Sequence, residues 1–549
     1  MLAALLAGSL LLPLHGASGE VQERSAIADY ARARAADSFG APEDSARRFA
    51  AALALSPDNP VLAAAAFRQA FAVGDKALAV RAAQALDKSA KLGPDGRLVL
   101  FADAVSRKDW NGARAELARL RDDPIFSHLA PTFEGWVAIG SKKGDPLAPL
   151  AAIKDNPFAA GYASEHKPFL LLAKGRTKEG LAALEVLAQA GPLPPRLSVA
   201  AAAQLARKGE RKAALGLLEG QAPSLVAARE RLESGKPLRT TMATAAQGIS
   251  DLLLRLSADA AAAEAPELAL TLSRTATFLA PENAAPWLVT AELLAAQNKH
   301  PAALAALRNV PAEDARQADS ADLRLRILSG SGKNEAAVGE ARALVAAQPQ
   351  SVQGWTRLGD LLSAENKHND AADAYRKALD LVRGGAKSAQ PEWTLWLLTG
   401  GALTQANRWE EGKAALEQAY KLAPEQAVVL NYLGYSQLER RENVAEAEKL
   451  IAEASKLQPD DAAITDSLGW AHYVRGDVPK AIELLERAAR GQPADTAINE
   501  HLGDAYYSAG RRFEARYAWQ AALIYAEGDA ASRLKAKIET GLKPALAAP

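Results

Sequence analysis

The sequence predicts an all-α protein built as a long array of stacked helix pairs. Three observations predict it. A Leu-Gly pair recurs at a fixed step, Ala and then Pro follow it in register, and Val, Ile and Thr never form the alternating runs that mark strands. The pairs are Leu358-Gly359, Leu433-Gly434, Leu468-Gly469 and Leu502-Gly503, with Thr399-Gly400 in the same phase. The last four glycines, at 400, 434, 469 and 503, are 34, 35 and 34 residues apart.

Taken in order, the chain opens on an apolar run from Leu2 to Leu14, followed by Ala17-Ser18-Gly19 and then Glu20. This reads as a signal peptide over 1–19, cut after Ala17 or Gly19. The run is shorter than the roughly 20 residues a membrane-spanning helix needs. No Lys or Arg precedes it, which a start codon assigned too far downstream explains; a buried N-terminal helix is the alternative. Residues 20–220 read as a degenerate array in which Gly74-Asp75, Lys108-Asp109, Gly144-Asp145, Gly175-Arg176 and Gly209-Glu210 are turns between Ala/Leu-rich helices. Residues 221–240, with Gln221-Ala222-Pro223 and Gly235-Lys236-Pro237, are expected to be a linker between two sub-arrays.

Central repeats follow over 241–349, among them a unit begun by Trp287, Ala291, Ala303 and Leu307. The best-patterned array covers 350–526. Trp355, Leu358, Gly359, Leu362, Ala371, Tyr375 and Ala378 form a complete unit there, and Leu468, Gly469, Ala481, Leu485, Ala488 and Pro493 another. Small residues at the Gly and Ala positions let the two helices of a unit approach closely, and Pro closes the second helix because it cannot continue one. Gly384-Gly385 with Pro391 makes a longer loop. Residues 527–549 are a capping helix and tail. Helix counting gives about 14 pairs, in which each repeat should touch only its neighbours and the first helices should line a concave face.

Composition narrows the function. Lys plus Arg and Asp plus Glu are each 65, so the net charge is zero and nucleic acid is not an expected partner. There is no Cys, which removes disulfides, thiol nucleophiles, thiolate metal sites and lipid attachment through an N-terminal Cys. Catalytic signatures are missing too. Gly330-Ser331-Gly332-Lys333 resembles a phosphate loop, but Asn334 replaces the metal-binding Ser or Thr and Ile327 the first Gly, so a turn between helices is the better reading. Glu410-Glu411 and Asp460-Asp461 sit at helix starts, where the dipole favours acids. His472 and His501 fall on first helices of adjacent units, where packing or exposure accounts for them. No catalytic residue, metal site or cofactor is assigned.

The periodic residues resemble the tetratricopeptide repeat family across nearly the whole mature chain. The resemblance implies a right-handed superhelical solenoid that binds proteins. Asn431-Tyr432-Leu433-Gly434-Tyr435, Asp466-Ser467-Leu468-Gly469-Trp470 and His501-Leu502-Gly503-Asp504, with Trp519, are similar to exported bacterial members of the family. That group includes an adaptor of a periplasmic carboxyl-terminal processing protease, a lipoprotein, whereas this chain has no Cys to lipidate. By this resemblance the chain is expected to be a non-catalytic periplasmic scaffold, peripheral to the outer membrane, and an adaptor for a protease or cell-wall hydrolase. The alternatives are an outer-membrane assembly or polymer-export accessory, a cytosolic chaperone cofactor, or an enzyme with its site in 124–240.

In the family, the residues one and five positions after the first consensus aromatic, and one three later, face the groove. Here they are Thr356 and Asp360, Asn431 and Tyr435, Asp466, Trp470 and Tyr473, and Glu500, Asp504 and Tyr507. None is Lys or Arg, unlike the repeats that grip acidic tails. An acidic aromatic groove fits an extended or helical segment with basic and apolar side chains. The competing reading is that Trp470, Tyr473 and Tyr507 pack consecutive first helices together.

Overall fold

The computed structural model describes residues 15–153, 156–220, 222–312, 314, 316–388 and 390–548. Residues 1–14 of the expected signal peptide therefore lie outside the described residues, and helix His15–Ser38 runs through the rest of it. The described residues form 29 α-helices and two 3₁₀ turns, with no strand among them. No described helix is long and apolar enough to cross a membrane. Two compact units emerge, one ending at Gly332 and one beginning at Lys333.

In the second unit the repeat positions do what their residue types require. First and second helices alternate as Val352–Ala364 and His368–Arg383, Glu392–Gln405 and Trp409–Leu422, Ala427–Glu439 and Val444–Leu457, Ala462–Val474 and Val478–Gly491, Thr496–Ser508 and Arg512–Tyr525. Each repeat glycine lies where the second helix comes closest. A Cβ on Gly359 would stand 2.4 Å from the Tyr375 ring, on Gly469 2.8 Å from Leu485, and on Gly503 2.4 Å from the Trp519 ring. Asp461 and Asp495 cap the first helices that follow them, accepting from the amides of Ile464 (3.0 Å) and Ile498 (2.9 Å). Helix Gly528–Thr540 covers the last pair.

In the first unit the expected turns appear. Gly74 has φ +81° and Asp75 caps helix Lys76–Lys88; Lys108 has φ +60° and Asp109 caps helix Trp110–Leu120. Gly144-Asp145 leads only into the 3₁₀ turn Pro149–Ala152. Prolines here begin helices, at Pro42, Pro60, Pro94, Pro124, Pro157, Pro195 and Pro266, where the missing amide hydrogen costs nothing. The segment read as a linker over 221–240 holds helix Pro223–Glu233, whose Leu225, Ala228 and Leu232 join the main core.

One expectation of the solenoid is overturned in this unit, because repeats do not touch only their neighbours. Helices Ala245–Ala262 and Pro266–Leu279 pack back onto the first helices Pro60–Val73, Pro94–Ser106 and Pro124–Ser141. Arg274 is buried and donates to the carbonyls of Phe71 (2.9 Å) and Ala72 (3.1 Å), at the end of helix Pro60–Val73. Phe278 meets Phe71, Gly248 lies against the Trp136 ring, and Arg196 bonds Asp251 at 2.6 Å. Residues 272–279 are all buried as a result, the polar Ser273, Arg274, Thr275 and Thr277 among them, so this part of the helix turns no face to solvent. The first helices, expected to line an open groove, are covered here by the chain itself.

Candidate functional site

The residues expected to face a groove come from three successive first helices of the second unit. Ala427–Glu439 carries Asn431 and Tyr435, Ala462–Val474 carries Asp466, Trp470 and Tyr473, and Thr496–Ser508 carries Glu500, Asp504 and Tyr507. Asn431, Tyr435, Tyr473 and Tyr507 are partly exposed, whereas Asp466, Trp470, Glu500 and Asp504 are buried.

Burial follows from two linked stacks of contacts. Trp470 lies between Tyr473 (ring centroids 4.6 Å apart) and His501 (4.1 Å), both nearly parallel to it. His501 Nδ1 is 3.0 Å from both carboxylate oxygens of Asp466 on the preceding first helix. Burial works against a charge on this imidazole, but Asp466, Asp504 and Glu500 outweigh it and hold its pKa above the usual value. Trp470 thus packs consecutive helices together. Tyr473 and Tyr507 do so with one edge only: the Tyr473 hydroxyl bonds Ser508 (2.9 Å), and the Tyr507 ring leans on Trp519.

The second set of contacts comes from residues that the sequence reading left out. Arg533 binds Glu500 through two bonds of 2.8 Å, and Lys537 Nζ reaches Glu500 (2.6 Å) and both oxygens of Asp504 (2.8 Å). Trp519 Nε1 donates to Asp504 as well, at 2.9 Å. Burial pushes the Glu500 carboxyl up, yet the two cations hold it below its usual value. The first helices contribute no Lys or Arg to this face, as the sequence indicated, but the capping helix supplies both. A signal was present: Glu500 and Asp504 are four apart, and so are Arg533 and Lys537, which puts each pair on one helix face.

What stays open is a cleft of about 250 Å³ lined by Thr404, Gln405, Asn431, Tyr435, Glu439 and Asp466, with Asp495 at its edge. Asn431 Oδ1 is buried there without a hydrogen-bond partner among the described residues, whereas Thr404 Oγ1 faces Gly412 of the neighbouring helix. Burial raises the pKa of the Glu439 carboxyl, against the pull of Arg440 and His501. The cleft therefore offers acceptors and carboxylates to a group that brings donors. Thr356 is buried, and Asp360 accepts from the Tyr375 hydroxyl at 2.9 Å, so that earlier pair belongs to repeat packing.

Elsewhere the near-phosphate loop Gly330 to Lys333 is the turn between helices Gln317–Gly330 and Asn334–Ala347. His166, in the stretch 124–240, is buried and accepts from Trp136 Nε1 at 3.1 Å. No group of three metal-ligating side chains occurs among the described residues.

The tetratricopeptide repeat family matches residues 324–386, 397–462 and 467–532. A TPR repeat-containing protein of Pseudomonas aeruginosa, PA4667, is 32% identical over 121 residues, 22% of this chain; the chain spans only 20% of that relative's length. The solved structure of PilF from Pseudomonas aeruginosa is 19% identical, with a TM-score of 0.32, covering 40% of this chain and 96% of that one. The Cut9–Hcn1 hetero-tetramer of the APC/C is 16% identical, with a TM-score of 0.38, covering 93% and 95%. Residues 324–532 thus carry tetratricopeptide repeats, and such repeats form a scaffold for protein–protein interaction.

Proposed function

We propose that this chain is a non-catalytic scaffold of the cell envelope, exported by the leader at 1–19, which brings a protease or cell-wall hydrolase together with its protein substrate. Its partner-binding face is formed by the partly exposed Asn431, Tyr435, Tyr473 and Tyr507, with the buried Asp466, Trp470, Glu500 and Asp504 supporting them from beneath. Export is supported by the apolar run before Ala17-Ser18-Gly19. The observation that carries the binding reading is the open cleft at Asn431 and Glu439, where the buried Asn431 Oδ1 lacks a partner beside carboxylates. A basic segment of a partner satisfies both, and its positive charge is steered there.

Crosslinked capture from envelope extract tests this, read by mass spectrometry. The control is a variant carrying Gln405→Lys and Glu439→Lys, both on the cleft lining. Recovery of a protease or hydrolase by the native chain, lost with the folded variant, is the expected result. Identical captures by both chains refute the cleft assignment, and a mature chain that keeps Met1 in the cytosol refutes export.

A further inference from the structure

After Thr540 the chain does not leave the repeat array. Gly541, at φ +83°, turns it beside the Tyr507 hydroxyl, so close that a Cβ would stand 2.3 Å from that oxygen. A single 3₁₀ turn, Pro544–Leu546, follows. The Ala548 amide then donates to Asp504 Oδ2 at 2.9 Å. Ala548 is 5% exposed and belongs to the apolar cluster of Leu438, Ala447, Ile451, Trp470 and Ala471, with Tyr435 and Tyr473 packed against it. The chain's own tail thus sits on the face of the first helices.

The hold is slight. Residues 543–545 are exposed, and among the described residues the segment is anchored by the turn at Gly541, by Leu542 packed against the Trp519 cluster, and by the backbone hydrogen bond and buried methyl group of Ala548. The seat also has a definite chemistry. Lys537 matches the charge of Asp504, which takes a second donor from Trp519, and the carboxylate still accepts one peptide amide. A cationic side chain gains little at a carboxylate already paired inside the protein. A neutral backbone amide followed by a small apolar side chain fits.

We propose that this seat, beside the cleft at Asn431 and Glu439, is a peptide-binding site, that residues 541–548 are its built-in occupant, and that it takes an extended stretch rich in small apolar residues. This deepens the scaffold reading and rests on it: the partner gains access by displacing the tail, so the face is shielded until a stronger segment arrives. A tethered occupant lowers the apparent affinity for any competitor by the fraction of time the seat is empty.

The test uses a fluorescent peptide copying residues 541–548, blocked at both ends, and anisotropy titrations against full-length protein. Ala548→Pro removes the donating amide and frees the seat; a chain ending at residue 541 does so independently. Both are expected to bind the peptide at least about tenfold more tightly than the native chain. A peptide N-methylated at the residue corresponding to Ala548 is expected to lose binding to all three proteins. Equal affinity across the proteins, or full binding of the methylated peptide, overturns the proposal. Partner capture that persists in that case leaves the scaffold reading standing, whereas loss of capture with intact peptide binding overturns that reading alone.

Discussion

Lys537→Met puts the buried charge network to a quantitative test. The substitution keeps the apolar stem and removes the ammonium, with its charge and its hydrogen bonds to Glu500 and Asp504. Lys537 and Asp504 have side chains with no solvent exposure, and Glu500 has 3%. Glu500 keeps Arg533, but Asp504 keeps only the neutral donors Trp519 and Ala548. One buried carboxylate is then left without a counter-charge, a loss of about 3–5 kcal/mol. Repeat arrays open locally, so a single global unfolding energy is not the right readout. Hydrogen exchange read by mass spectrometry on helices Thr496–Ser508 and Gly528–Thr540 is. Since about 1.4 kcal/mol is tenfold, exchange in both should accelerate by roughly 100-fold or more, while helices before 427 stay unchanged. Adding Asp504→Asn removes the stranded charge and should recover much of the protection. Acceleration of less than about threefold, or no recovery in the double variant, would refute the claim that Lys537 balances Asp504.

Other perturbations have equally definite outcomes. Gly503→Ala places a methyl group 2.4 Å from the Trp519 ring; a loss of about 1–3 kcal/mol is expected in urea unfolding of the C-terminal repeats, and a neutral result would mean the helices can spread. Arg274→Met leaves the carbonyls of Phe71 and Ala72 without their charged donor, a loss of about 1.5–3 kcal/mol that exchange over residues 60–73 should register. Two histidines should give pH dependence of opposite sign. Burial first, and Arg196 second, push the His166 pKa down to about 3; the unfolded chain binds the extra proton, so the first unit loses stability as pH falls from about 6.5 toward 3, by at most about 1.4 kcal/mol per pH unit. His501 is raised, so its contribution is complete below about 6.5 and is lost as pH rises through its folded value. Thermal melts across pH with His166→Gln and His501→Gln each flattening one limb would bear this out; unchanged profiles would not.

Helix pairs were legible in the sequence because one physical constraint repeats. Close approach demands a small residue every 34 or so positions, and Gly359, Gly400, Gly434, Gly469 and Gly503 each meet a second helix as that constraint requires. Turn chemistry was equally local: Gly74 with Asp75, and Lys108 with Asp109, needed nothing beyond their own backbone. The positions expected to face a groove do fall on three successive first helices, but four of the eight proved to be buried.

Tertiary structure decided what covers that face. Arg533 and Lys537 neutralise Glu500 and Asp504 from a helix more than 30 residues further on, and Ala548 reaches Asp504 from the tail. Helices Ala245–Ala262 and Pro266–Leu279 return to first helices about 120 to 200 residues earlier. Periodicity encodes contacts between neighbours in the chain, whereas such returns depend on which distant surface has apolar area or charge left to bury. The repeat pattern therefore determined the scaffold, and long-range packing determined which part of it stays open to a partner.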